Sequence, residues 1–258
     1  MRDPGSGWIQ LDVVEFYLIW STTGLGETPP VLDVLQVGRT PRRRAELVAS
    51  ASDALAARDL GTVDAPAADL AAMLRSIADA HVTLDMRVYG SGAPLFGCAG
   101  VGSRGAAVAA RVGDEVRLGA VRASAVAGSL LGSLPPIAAA AGRPANVGVA
   151  DYDAACVEGA QDGISGFVRV LRNAGLRGTE AGTLAQALST RQGGGQLGAT
   201  GRSRNGRAVR TASVVNWVDT PEGRYALRRH GDWLTITPVD VPRLTSMAEE
   251  MLADVRLN

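Results

Sequence analysis

No lysine occurs anywhere in the 258 residues, and only two cysteines, two histidines and three phenylalanines do; each scarcity removes a class of chemistry. Without lysine there is no P-loop, because that motif needs an ammonium group reaching the phosphates. Every basic side chain is therefore an arginine. Cys98 and Cys156 stand far apart with no CxxC spacing, which excludes a disulfide framework and a thiolate zinc cluster. Neither His81 nor His230 belongs to an HxxxH or HExxH arrangement. Basic and acidic residues number 26 each, so the formal charge is zero and nothing draws the chain in bulk to nucleic acid or anionic lipid. Long apolar runs are missing too. The stretch from Val126 to Ala141 is interrupted by Gly128, Gly132 and Pro135-Pro136, so no membrane insertion is expected. The opening Met1-Arg2-Asp3-Pro4-Gly5 is unlike a secretory signal, and the expected location is cytoplasmic.

What is present is a globular amount of apolar residue, 46% of the chain, enough for one large domain or two closely packed halves. Asp12 before Val13, Phe16, Tyr17 and Trp20 predicts a capped helix running toward Gly24. The β-branched run Val31–Val37 predicts a strand. Thr40-Pro41 opens a helix that stops before Gly61, and Leu70, Met73, Leu74 and Ile77 give the stripe of another. From His81 the period becomes two: Val82, Leu84, Met86 and Val88 alternate with Thr83, Asp85, Arg87 and Tyr89. Strands are expected at Leu95–Ala99, Ala106–Val112 and Glu115–Val121, then a helix over Ala123–Leu134. A short strand at Asn146–Val149 follows, with helices over Asp151–Ala174 and Thr179–Leu188. Five strands come next, Gln196–Arg202, Arg207–Ala212, Val214–Asp219, Arg224–His230 and Trp233–Thr237, and a last helix from Val241.

Two segments echo each other. Ala106–Leu118 aligns with Arg224–Ile236 about a shared Gly-Asp turn, Gly113-Asp114 and Gly231-Asp232, and a helix follows each at the same distance. The reading is an α+β fold, a central antiparallel sheet with two helical bundles, in which halves 1–142 and 143–258 form a quasi-twofold repeat.

Catalytic signals are weak. Gly100-Val101-Gly102-Ser103-Arg104-Gly105 has dinucleotide-loop spacing but leads into a strand, not the helix whose N-terminus would hold the pyrophosphate. No G-x-S-x-G elbow is present. Arg202, Arg204, Arg207 and Arg210 surround an Asn205-Gly206 turn and read as solubilising an exposed hairpin, since no aromatic residues alternate with them for base stacking. In the last hairpin, alternation places Tyr225, Leu227, Leu234 and Ile236 on one face and Arg228, His230, Trp233 and Thr235 on the other. A tryptophan among arginines suits a protein-binding surface. The candidate contacts are Gln196, Arg202, Trp217, Arg228 and Trp233; no catalytic, metal or cofactor residue is assigned.

Several strings carry a family resemblance. Val14-Glu15-Phe16-Tyr17-Leu18-Ile19-Trp20 with Gly24-Leu25-Gly26-Glu27-Thr28-Pro29, then Gly194–Ala199, Val214–Tyr225 and Asp232–Pro238, resemble the EspG family, with Asp219-Thr220-Pro221-Glu222-Gly223-Arg224-Tyr225 the most specific element. These are cytoplasmic chaperones associated with the ESX (type VII) secretion systems of mycobacteria and related actinobacteria. The resemblance implies a non-enzymatic chaperone that binds the tip of a PE–PPE heterodimer through its sheet and C-terminal helical bundle and so shields an apolar patch. Some members carry a long loop between early strands; here that link is only Gly90-Ser91-Gly92-Ala93-Pro94. The alternative reading is a small-molecule enzyme with dispersed residues around His81 or His230.

Overall fold

The computed structural model describes residues 2, 3, 5–202, 207–212 and 214–257; Arg204 and the anticipated Asn205-Gly206 turn lie outside them. The chain runs through β1 (Ile9–Asp12), α1 (Val13–Thr22), α2 (Pro41–Ala56), α3 (Ala68–Ala78), β2 (Val82–Tyr89), β3 (Leu95–Gly102), β4 (Gly105–Val112), β5 (Glu115–Val121) and α4 (Val126–Leu131). It continues through β6 (Ala145–Gly148), α5 (Val149–Asn173), α6 (Gly178–Ser189), β7 (Gly193–Arg202), β8 (Ala208–Arg210), β9 (Val215–Thr220), β10 (Gly223–His230), β11 (Trp233–Pro238) and α7 (Val241–Leu257).

All the strands join one sheet in the order β1-β5-β4-β3-β2-β7-β9-β10-β11-β6, with β8 beside β7. Every ladder is antiparallel, as an α+β architecture of hairpins allows. The seam between the halves is the β2–β7 ladder, in which Val82–Tyr89 oppose Gly201–Gly194.

Alternation divides the side chains between two faces. On the back, Leu84, Met86, Val108, Leu197 and Trp217 pack under Leu130 of α4 and Leu244, Met247 and Met251 of α7. On the front there are two separate covers. At the β1 end, Ile9, Leu118, Ala107 and Cys98 lie under Phe16, Leu55, Leu70 and Leu74 of α1–α3. At the β6 end, Val147, Tyr225, Leu227 and Ile236 lie under Phe167 and Leu171 of α5 and Leu184 of α6.

Read inward from its two edges, the sheet is built in the same order in each half: a short edge strand, a helical cover, then a strand at the seam and a meander back toward the edge. The two Gly-Asp turns also match in detail. Gly113 has φ 57° and Gly231 φ 55°. Arg111 Nε donates to the Gly113 carbonyl at 2.8 Å, and Arg229 Nε to that of Gly231 at 2.9 Å. The carbonyl of Asp114 accepts from the first amide of α1, Val13, at 2.7 Å, and that of Asp232 from the first amide of α5, Val149, at 2.8 Å.

Local chemistry explains the helix starts. Asp12 accepts from the Val14 amide while Glu15 reaches back to the Asp12 amide, a capping box for α1. Thr40 caps α2, with Pro41 in its first turn.

Three expectations are corrected. The run Val31–Val37 is not a strand: Pro30–Leu32 forms a single 3-10 turn, and Asp33 closes it in the left-handed region at φ 50°. Val31 and Leu32 are buried against the front of the sheet, and the Arg111 guanidinium takes up the Leu32 and Asp33 carbonyls that a ladder would have used. The helix expected over Ala123–Leu134 is shorter, a 3-10 turn followed by α4, because Gly132 and the paired prolines end it. The single helix expected over Asp151–Ala174 is two. Gly163 adopts φ 66° and ψ −157°, a region only glycine enters readily, and folds 164–173 back along 149–162, so that the Tyr152 and Phe167 rings meet edge-on at 6.2 Å. Strand β1 was not anticipated from the sequence.

Candidate protein-binding face

Between the two helical covers, the front of the seam strands is left open. One row of side chains crosses it, because residues directly opposite in a ladder point the same way: Arg111 on β4, Phe96 on β3, Arg87 on β2, Gln196 on β7 and Asn216 on β9. Phe96, Gln196 and Asn216 are half-buried and Arg87 is exposed. Gln196 Nε2 donates to Asn216 Oδ1 at 3.0 Å, leaving the Gln196 carbonyl and the Asn216 amine free of this bond. Tyr89, one pleat along β2 from Arg87, is 49% exposed and meets Phe96 edge-on at 6.2 Å. The Arg111 guanidinium stands 5.8 Å over the same phenyl ring. Among the described residues no carboxylate forms an ion pair with Arg87, whereas Arg210 is held by Asp85 at 2.7 and 2.9 Å.

That bidentate pair depends on a missing side chain. A Cβ on Gly198 would sit 1.9 Å from Arg210 Nη2, so only glycine lets the guanidinium cross β7 from β8 to reach β2. The hydrogen bond to the Asp85 carboxylate raises the arginine's pKa above its ordinary value. The strip thus offers a free guanidinium, an amide pair and an exposed ring edge to whatever docks on it. Those groups suit a protein surface with backbone carbonyls and apolar side chains; none is a nucleophile or base.

The sequence-derived candidates fall on both sides of the sheet. Gln196 is in the front strip, and Arg202, exposed at the end of β7, belongs to the same alternating set. Arg228 and Trp233 are on the back beyond α7. Arg228 Nη1 donates to Glu250 of that helix at 2.7 Å, and Trp233, 59% exposed, pairs with His230 across the hairpin. The partition of the last hairpin into Tyr225/Leu227/Leu234/Ile236 and Arg228/His230/Trp233/Thr235 is the one observed. Trp217 is corrected: at 1% exposure it is core on the back face, its six-membered ring lying over Gly195, and it takes no part in a surface. Sequence reading missed Arg87 and Tyr89 as site residues, although their alternation with Met86 and Val88 already placed them together on one face.

Little in the structure favours small-molecule chemistry. His81 precedes β2 and His230 ends β10, and two strands separate those, so the imidazoles are at least about 14 Å apart across the sheet. Burial pushes the Cys98 thiol up to about 12, which keeps it protonated and inert. No group of three or more His, Cys, Asp or Glu among the described residues is placed to hold a metal. A cleft of about 940 Å³ opens on the back beside Trp8 and α4, and three of its polar side chains engage one another, Gln10 with Glu115 at 2.6 Å and Arg117 with Glu115. No helix among the described residues is long and apolar enough to cross a membrane.

Comparison with known proteins brings these features together. Residues 12–250 match the EspG family. Among solved structures, the chain is similar to the Mycobacterium tuberculosis type VII secretion system chaperone EspG5 in complex with the PE25–PPE41 dimer, at TM-score 0.77 and 18% identity over 96% of each chain. Curated proteins give no match.

Proposed function

The chain belongs to the EspG family, and from that premise we propose that it is a cytoplasmic, non-enzymatic chaperone of a type VII secretion system that binds PE–PPE-like heterodimers. The observation that carries the reading is the open front strip, walled by two helical groups and floored by Arg87, Tyr89, Phe96, Gln196 and Asn216. A helical bundle docked end-on there would cover its own apolar tip, the patch that otherwise drives association. In this reading Gln196 and Arg202 are contacts, while Arg228 and Trp233, on the far face, are not. The structural neighbour's complex with a PE–PPE dimer supports the partner class. The shared strand order of 1–142 and 143–258 supports their quasi-twofold relation, which superposing the halves of a crystal structure tests.

Affinity capture of the tagged protein from its native host, followed by mass spectrometry, tests the reading. Recovery of a PE–PPE pair is expected, and its repeated absence while the secretion locus is expressed would refute it.

A further inference from the structure

The string Asp219–Tyr225 is the most distinctive in the chain, yet it does not reach the front strip: Thr220, Arg224 and Tyr225 are buried. It is a junction instead. The Arg224 amide donates to the Ala138 carbonyl at 2.9 Å, and its carbonyl accepts from Ala140 at 3.2 Å and from Val239 at 2.9 Å. The Tyr225 hydroxyl donates to the Ala141 carbonyl at 3.0 Å, and the Asp219 carbonyl accepts from Gln192 at 2.8 Å. Gly223 has φ 131°, and a Cβ there would stand 2.6 Å from Ala140, so the linker lies directly on the strand. Three connections therefore meet on one string: the link between the halves, the entry from α6 into β7, and the exit from β11 into α7.

At its centre Arg224 is fully buried. Its Nε donates to Asp219 Oδ1 at 2.6 Å, while Nη1 and Nη2 find no acceptor among the described residues. The protein contains its own control for this corner. In the first half the corresponding opposed pair is Val101–Ala106, both buried, following a Gly105 of φ 132° that matches Gly223. The corner can thus be built from apolar side chains. A buried ion pair with unsatisfied nitrogens is generally no more stable than a well-packed apolar substitute. Stability alone does not account for it.

We propose that Asp219 and Arg224 are positioning residues that fix how α6 and the inter-half linker seat on the sheet, and with them the distance between the C-terminal helical wall and the strip where the partner docks. This rests on the proposed chaperone function, but half of its test does not. The informative variant is Asp219→Val/Arg224→Met, which keeps side-chain volume and copies the apolar solution of the first half. Its melting temperature should stay within about 4 °C of wild type. Amide exchange at Ala140 and Gln192 should be about tenfold faster or more, with the β3–β4 core unchanged. Affinity for the PE–PPE heterodimer of the same genome that the wild type retains should fall about tenfold, and Arg224→Lys should recover part of the loss. Unchanged exchange, or faster exchange with unchanged affinity, overturns the proposal. So does a collapse in melting temperature, which would make the pair an ordinary stability element. Should the wild type retain no PE–PPE pair, the chaperone reading and the affinity role fail together, while exchange still decides whether the pair seats the linker.

Discussion

Tyr89→Ala and Trp233→Ala, made separately, decide which face of the sheet receives the partner. Tyr89 on the front is 49% exposed and Trp233 on the back 59% exposed, so either could be covered further on binding. A fully covered aromatic side chain buries about 150–250 Å². Closing the exposed half of Tyr89 therefore removes about 75–120 Å² from water, worth about 2–3 kcal/mol at 25 cal/mol per Å². Ordering the ring costs about 0.5–1 kcal/mol. About 2 kcal/mol remains, or about 30-fold in Kd. The variant also loses the edge-on contact with Phe96, about 1 kcal/mol of stability and about 2–4 °C in melting temperature. Titration calorimetry with the captured heterodimer, beside a thermal melt, separates the two effects. The expected outcome is about 30-fold weaker binding for Tyr89→Ala and less than about twofold change for Trp233→Ala. The reverse pattern would put the partner on the back face and refute the open-strip reading.

Four further outcomes follow from the structure. Gly163→Ala forces a Cβ into φ 66°, ψ −157°, and should cost about 1–3 kcal/mol, seen as a lower urea midpoint at unchanged m; an unchanged midpoint would mean the α5 bend relaxes without strain. A thiol reagent should label exposed Cys156 in the native state and buried Cys98 only on unfolding. Because the folded thiol of Cys98 keeps its proton up to about 12 while an unfolded one loses it near 9, this group makes stability fall with rising pH across that window, by about 1.4 kcal/mol per unit, and Cys98→Ala should flatten that slope. Finally, with 26 charges of each sign and Arg87 carrying no ion pair among the described residues, affinity for the heterodimer should change less than about tenfold between low and high salt; a collapse by several orders of magnitude would instead make the β7–β8 arginines the anchor.

Much of this architecture was legible because strands of seven or eight residues display period two clearly: β2, β4, β5 and β10 were all placed to within about two residues. Strand β1 has four residues, too few for a period, and exists because Ile9 and Leu11 find β5. The β-branched run at Val31–Val37 had the composition of a strand but no ladder partner, and composition cannot say whether one is free. Gly163 shares its amphipathic segment with Gly159 and Gly166, and periodicity does not say which of the three glycines takes a positive φ and breaks the helix. For the site, alternation sorted Arg228 and Trp233 correctly onto one side of their hairpin, but only the packing of α7 says which side is which. Trp217 failed for a related reason: β9 is central and covered on the back, so a tryptophan there reads as exposed or buried with equal ease. The row Arg87–Gln196–Asn216 was out of reach because its members meet only when β2 pairs with β7.

That same ladder has a cost during synthesis. Strand β2 ends at residue 89 and its neighbour β7 begins at residue 193, so the chain must emerge through four further strands, four helical segments and a linker before the central edge can close. Until then the first half presents β2 as an open edge, with Val82, Leu84 and Met86 along it. Pairings between such distant segments form slowly, and the waiting intermediate invites edge-to-edge association. A protein proposed to protect others from aggregation therefore passes through a stage in which it is itself vulnerable, and slowing translation ahead of residue 193 should lower its soluble yield more than slowing it afterwards.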